Sequence, residues 1–99
     1  MNIPRHAETS EKALERYLTH AAQASGLPCL KYTNANMAGY PDRILLLPGG
    51  AVVWVELKSR GRKPTRLQAI RHEALRAIGH RVEVIDGPED IDKLLAELL

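Results

Sequence analysis

Two acids and an amine bracket one apolar stretch: Asp42 stands before it, and Glu56 and Lys58 close it. Neighbouring carboxylates repel unless a proton or a cation sits between them. Their oxygens suit hard cations such as Mg²⁺ or Mn²⁺, which keep several waters and engage phosphate oxygens. A cation held there polarises a phosphate and acidifies a water, while a nearby ammonium orients that water or offsets charge. The backbone carbonyl of Leu57, between Glu56 and Lys58, offers one more oxygen. The plainer alternative is an ion pair of Lys58 with Glu56 or Asp42 on an exposed strand end, of a kind that contributes little.

The elements that must position these groups can be read from the stretch itself. Ile44-Leu45-Leu46-Leu47 and Ala51-Val52-Val53-Trp54-Val55 are rich in branched apolar residues, and Pro48-Gly49-Gly50 breaks them. That pattern reads as a β-hairpin, which folds Asp42 back beside Glu56 and Lys58. Side chains alternate along a strand, so Glu56 and Lys58 share a face and Leu57 points away. A two-residue Gly49-Gly50 turn would pair Asp42 with Leu57, on the wrong face. A loop of Pro48, Gly49 and Gly50 pairs Leu47 with Ala51 and Asp42 with Glu56, and glycine accepts the positive φ such loops carry. Which loop forms decides whether the cluster exists.

Before the hairpin, a helix is expected from Thr9 or Ser10 to about Ser25, with Leu14, Tyr17, Leu18, Ala21 and Ser25 inward and Gly26 as its stop. Glu11 falls about 60° from the centre of that stripe and Glu15 about 100°. Glu11 therefore leans further towards the body, although a solvated first-turn acid would satisfy the helix dipole equally. Leu27 to Tyr32 reads as a short strand. After the hairpin comes a mobile loop, Ser59 to Pro64, and from Lys58 to Arg71 six basic residues (Lys58, Arg60, Arg62, Lys63, Arg66, Arg71) meet no acid. Such a patch suits phosphate backbones.

A second helix is predicted from Thr65 to before Gly79, with Leu67, Ile70, Ala74 and Ile78 as its buried side. Thr65 and Gln68 match a capping box, which competes with any role for Gln68 in a reactive site. Arg81 to Ile85 reads as a strand. Pro88 then opens a last helix with Ile91, Leu94, Leu95 and Leu98 on one face. The order α-β-β-β-α-β-α implies an α/β (α+β) layer fold, a mixed sheet flanked by helices.

Ninety-nine residues, 44% hydrophobic and 26% charged, fit a single domain spanning 1–99, with residues 1–8 polar and frayed. Cys29 is alone, which excludes an intrachain disulfide or a cysteine zinc cluster. No run reaches membrane-spanning length and no signal region opens the chain, so the cytoplasm is the expected compartment. Three Tyr, one Trp and no Phe make a core poor in rings, one that leaves room for a partner subunit. Candidate surfaces for it are Leu94, Leu95, Leu98 and Leu99, or Val53 and Trp54.

The ordered set Glu11, Gly39-x-Pro41-Asp42, Glu56-Leu57-Lys58 and Gln68 resembles the VRR-NUC (virus-type replication and repair nuclease) domain of the PD-(D/E)XK superfamily, over roughly residues 9 to 86. Glu15 could replace Glu11 by a small shift in alignment. The resemblance implies a restriction-endonuclease-like fold and a metal-dependent DNA phosphodiesterase. Asp42 and Glu56 would hold Mg²⁺ or Mn²⁺ with the Leu57 carbonyl, and Glu11 would support it directly or through water. Lys58 would act on the attacking water and Gln68 would position the site, while Arg60, Arg62, Lys63 and Arg66 would bind DNA. Stand-alone relatives from phages and bacteria resemble Holliday-junction resolvases, which implies a homodimer cutting four-way DNA in repair, recombination or phage replication. A flap- or duplex-nicking nuclease of this fold, and a non-catalytic nucleic-acid-binding domain, are the alternatives.

Overall fold

A computed structural model of the chain describes residues 10–99, so the expected fraying of 1–8 and the alternative cap Thr9 lie outside the described residues. Helix α1 (Glu11–Ala24) starts where Ser10 Oγ accepts the Ala13 amide at 3.2 Å. It stops at Gly26 (φ +79°): the Gly26 amide donates to Gln23 O at 3.0 Å and the Leu27 amide to Ala22 O at 2.9 Å, a Schellman ending. Three antiparallel strands follow: β1 (Cys29–Lys31), β2 (Arg43–Leu46) and β3 (Val52–Leu57). Helix α2 (Arg66–Ala77) then crosses to β4 (Arg81–Ile85), which lies parallel to β3, and α3 (Pro88–Leu98) closes the chain. The sheet order is β1-β2-β3-β4, and the element order is the one expected.

The hairpin takes the three-residue loop. Pro48–Gly50 form a short 3-10 turn with Gly49 at φ +87° and Gly50 at +93°, and the Leu47 amide donates to Ala51 O at 2.9 Å. Arg43 consequently pairs with Val55, and one step further along the same register Asp42 comes opposite Glu56. A one-residue slip would have sent every side chain of β2 to the other face.

That register divides β3 cleanly. Val53, Val55 and Leu57 face the core, packed with Leu14, Leu18 and Ala22 of α1, Leu45 of β2, and Ile91, Leu94 and Leu95 of α3. Each fully buried aliphatic side chain contributes about 1.5–3 kcal/mol, so this layer holds the sheet end rigid. Trp54, Glu56 and Lys58 belong by alternation to the opposite face, the one on which α2 lies. Trp54 does not lie open. Its ring stands edge-on to Tyr32 (5.2 Å) and His80 (5.9 Å), and its Nε1 donates to His80 Nδ1 at 3.2 Å.

Helix α2 departs from the expected packing. Its buried residues are His72 and Leu75, whereas Leu67, Ile70 and Ile78 are 41%, 51% and 76% exposed and Ala74 is exposed too. The apolar stripe is real but faces outward, about 120° round the helix from the buried side. Arg71 contributes to this turn of the molecule: its Nε donates to Ala38 O at 3.0 Å and its guanidinium lies over the Tyr40 ring. The two surfaces expected to meet a partner are largely consumed by the fold, since Val53, Leu94 and Leu95 are buried and Leu98 packs on the core. No helix among the described residues is long and apolar enough to cross a membrane.

Candidate metal centre

Three backbone elements meet at the end of the sheet where β3 finishes. Glu56 arrives from β3, Asp42 from the residue before β2, and Glu11 from the first turn of α1. One carboxylate oxygen from each lies within 4.8 Å of the others. Three acids that close, in a chain of net charge +2, are an arrangement that mutual repulsion opposes and a divalent cation stabilises. Leu57 lines the adjoining cavity together with Glu11, Lys12, Glu15, Lys31 and Asp42.

The three acids differ sharply in exposure. Glu11 is exposed, Asp42 half-buried, and Glu56 only 1% exposed. Burial pushes the Glu56 carboxyl up to about 8, the neighbouring Asp42 adds to the rise, and Lys58 opposes it. Glu56 Oε1 is buried without a hydrogen-bond partner, a costly state for a carboxylate oxygen and one that a cation or donor would relieve. Lys58 is only 8% exposed and lies near enough to this group to oppose the rise.

Glu11 and Glu15 are separated by their partners. Glu15 Oε2 accepts from Lys31 Nζ at 3.0 Å and from Arg43 Nε at 3.2 Å, which ties the first turns of α1 to β1 and β2. Burial pushes the Glu15 carboxyl up, but Lys31 and Arg43 outweigh it and leave the group below its usual range. Its charge is thus satisfied within the protein, and Glu11 is the α1 acid that joins Asp42 and Glu56.

Gln68 sits in the capping box of α2. Its Oε1 accepts the Thr65 amide at 2.9 Å, and its own amide donates to Thr65 Oγ1 at 3.2 Å. The side-chain oxygen is therefore committed to the helix end. The basic loop is tied down more than its composition implied. Arg60 forms an ion pair with Glu89 of α3, and the Gly61 amide donates to Asp86 Oδ2 at 3.0 Å. Arg62, Lys63 and Arg66 stay exposed.

His72, which no sequence pattern had singled out, faces Glu56 from α2, with Nε2 3.5 Å from Glu56 Oε1. It is 1% exposed, and burial lowers its pKa, with Arg76 and Lys58 adding to the effect. A usable signal did exist: Gln68 and His72 are four apart and share one side of a helix.

These shifts predict a pH dependence for the metal-free chain. Glu56 ionises near 4.5 when unfolded and near 8 when folded, so the folded state binds more protons between those values. Its contribution to stability is complete below pH 4.5 and is lost as pH rises through 8. His72 works in the opposite sense, because its folded pKa lies below 6.5, and its effect is complete above that pH. Between pH 6.5 and 8 in EDTA, stability should therefore fall by on the order of 1–2 kcal/mol. Thermal melts of wild type and Glu56→Gln would check this, since the variant should lack the fall.

No family model matches the chain. It is 35% identical over 85 residues to "Putative nuclease p44" of Acyrthosiphon pisum secondary endosymbiont phage 1, which covers 86% of this chain and 90% of that protein. A solved structure described as "VRR_NUC domain" matches with a TM-score of 0.82 at 29% identity, over 90% of this chain and 97% of the other. Another, "VRR_NUC domain protein", matches with a TM-score of 0.76 over 90% and 87%. At 18% identity it speaks to the fold alone.

Proposed function

The chain belongs to the VRR-NUC family of PD-(D/E)XK nucleases, and from that footing we propose that it is a divalent-metal-dependent DNA endonuclease, a homodimer acting on branched DNA. The observation that carries the metal dependence is the convergence of Glu11, Asp42 and Glu56 within 4.8 Å, beside the buried Lys58. The donor set is all oxygen and acidic, which fits Mg²⁺ or Mn²⁺ and not a softer ion. When bound, the cation supplies Lewis-acid polarisation of the scissile phosphate and activation of the attacking water.

The protein's own groups do the rest. Asp42 and Glu56 hold the cation, with the Leu57 carbonyl as a further oxygen and Glu11 in support. Lys58 orients the nucleophile and offsets negative charge as it develops on the phosphate. Gln68 shapes the site only by fixing the start of α2, the helix that delivers His72 against Glu56.

Arg62, Lys63 and Arg66 carry the DNA contact, with Arg60 contributing less because Glu89 already neutralises it. Replacing Arg62, Lys63 and Arg66 with Gln should weaken binding across sequences and flatten the salt dependence, by about one unit of slope per lost phosphate contact. Arg60→Gln should change the slope by less. Fluorescence anisotropy at several salt concentrations checks both.

For the dimer, the outward stripe of α2 is the surface that the fold leaves open. Leu67, Ile70, Ala74 and Ile78 recur at helical spacing, as a packed helix face does, yet all four stay exposed, Ile70 and Ile78 more so than Leu67. A two-fold axis through one such face uses the same patch twice and matches the symmetry of a four-way junction. Light scattering should give about twice the 11.0 kDa chain mass. Ile70→Asp with Ile78→Asp should return it to the monomer and abolish paired nicks.

The decisive assay incubates the chain with labelled four-way, flap and linear DNA in Mg²⁺, Mn²⁺ or EDTA. Metal-dependent paired nicks on the junction are expected. Binding without cleavage under every metal condition would leave a non-catalytic DNA-binding domain. Cleavage confined to flaps or duplexes would remove the junction preference.

A further inference from the structure

Glu56 Oε1 and His72 Nε2 are two buried polar atoms, each without a hydrogen-bond partner, and they face each other at 3.5 Å. Both residues are 1% exposed, so water does not reach either atom from bulk. Their elements are independently fixed. Glu56 lies in β3, paired with Val84 of β4, and His72 lies on the buried side of α2 with Leu75. An imidazole sealed between a helix and a sheet is an expensive filler when a leucine would fit. The expense is met when its N–H reaches an acceptor, and the one opposite it is the Glu56 oxygen.

We propose that His72 is a positioning residue for Glu56: its Nε2–H donates to Oε1 and fixes the carboxylate plane, leaving Oε2 to the cluster shared with Glu11 and Asp42. The present 3.5 Å lies at the outer edge of hydrogen-bond reach, and a shift of a few tenths of an ångström closes it. Drawing Oε2 towards a cation supplies such a shift, because a ligating carboxylate is ionised and its second oxygen becomes a strong acceptor. Groups that bond the outer atoms of metal ligands set ligand orientation, and their loss typically lowers metal affinity about 10- to 100-fold. The inference rests on the reading of the acidic cluster as a cation site.

Mn²⁺ binding by calorimetry, on chains first shown to be folded by circular dichroism, tests it with three substitutions. His72→Leu fills the space without a donor and should weaken Mn²⁺ binding about 10- to 100-fold. His72→Gln places an amide N–H near the position of Nε2 and should recover most of the loss. His72→Asn, whose amide sits nearer the place of Nδ1, should not. A purely space-filling role would not distinguish Gln from Asn. If the variants fold poorly, long-range ¹H–¹⁵N correlation spectra of the wild-type chain in Mg²⁺ give the tautomer directly. Protonated Nε2 is expected, and a bare Nε2 would overturn the proposal. Unchanged Mn²⁺ affinity in folded His72→Leu would overturn it alone. Absence of Mn²⁺ binding by the wild type would overturn the cation reading and the proposal together.

Discussion

Replacing Asp42 with Asn, or Glu56 with Gln, is expected to lower the proposed metal-dependent DNA cleavage by at least about a thousandfold while the chain stays folded. Metal polarisation of a phosphate is worth several kcal/mol of barrier, and each 1.4 kcal/mol is about a factor of ten. Each substitution removes one carboxyl group from a cluster that, among the described residues, holds three. Neither should unfold the chain, for different reasons. Asp42 is half-buried and outside the regular ladder, so its amide can be solvated. Glu56 is buried and reluctant to ionise, so a neutral amide of the same shape removes an electrostatic cost that the metal-free protein carries. Cleavage time courses beside thermal melts check both halves. Wild-type turnover by folded Asp42→Asn would remove the assigned site.

The second large effect is at Lys58, where Lys58→Ala should cost about 100- to 1000-fold in cleavage, the usual loss for one preorganised charge-stabilising group. Unlike the acids, Lys58 should be dispensable for holding the cation. Its removal does have one indirect consequence, because Lys58 opposes the upward push on the Glu56 carboxyl. Without it Glu56 keeps its proton to higher pH, and Mn²⁺ affinity near neutrality drops modestly. Raising the pH should restore binding in Lys58→Ala and leave cleavage low. Recovery of both together would mean that Lys58 acts only through Glu56.

How much of this was legible from the residues depends on the range of the interaction. The hairpin was, because Pro48-Gly49-Gly50 and the alternation of Val53, Val55 and Leu57 are local, whereas its register was narrowed only to a two- or a three-residue loop, of which the structure takes the second. So were the caps at Ser10 and Thr65, the stop at Gly26 and the strand Arg81–Ile85. Glu11 was favoured over Glu15 by its angle on the helix, but what holds Glu15 apart was not legible, since Lys31 and Arg43 reach Glu15 only once β1 and β2 have paired. Likewise the acid that neutralises Arg60 is Glu89, 29 residues away. Periodicity failed outright on α2. It found a genuine apolar stripe, but an apolar stripe does not say whether it is covered by its own sheet or by something else. The buried side was instead the polar-looking line of Gln68 and His72 with Leu75, and that is the side that touches Glu56.

The central claim is that Glu11, Asp42 and Glu56 together hold a divalent cation. Crystals grown or soaked in millimolar Mn²⁺, with diffraction recorded at the manganese edge, test it most directly. The expected result is one strong anomalous peak between the three carboxylates, roughly 2.0–2.3 Å from oxygens of Asp42 and Glu56. A map with well-ordered carboxylates and no peak at that position would contradict it.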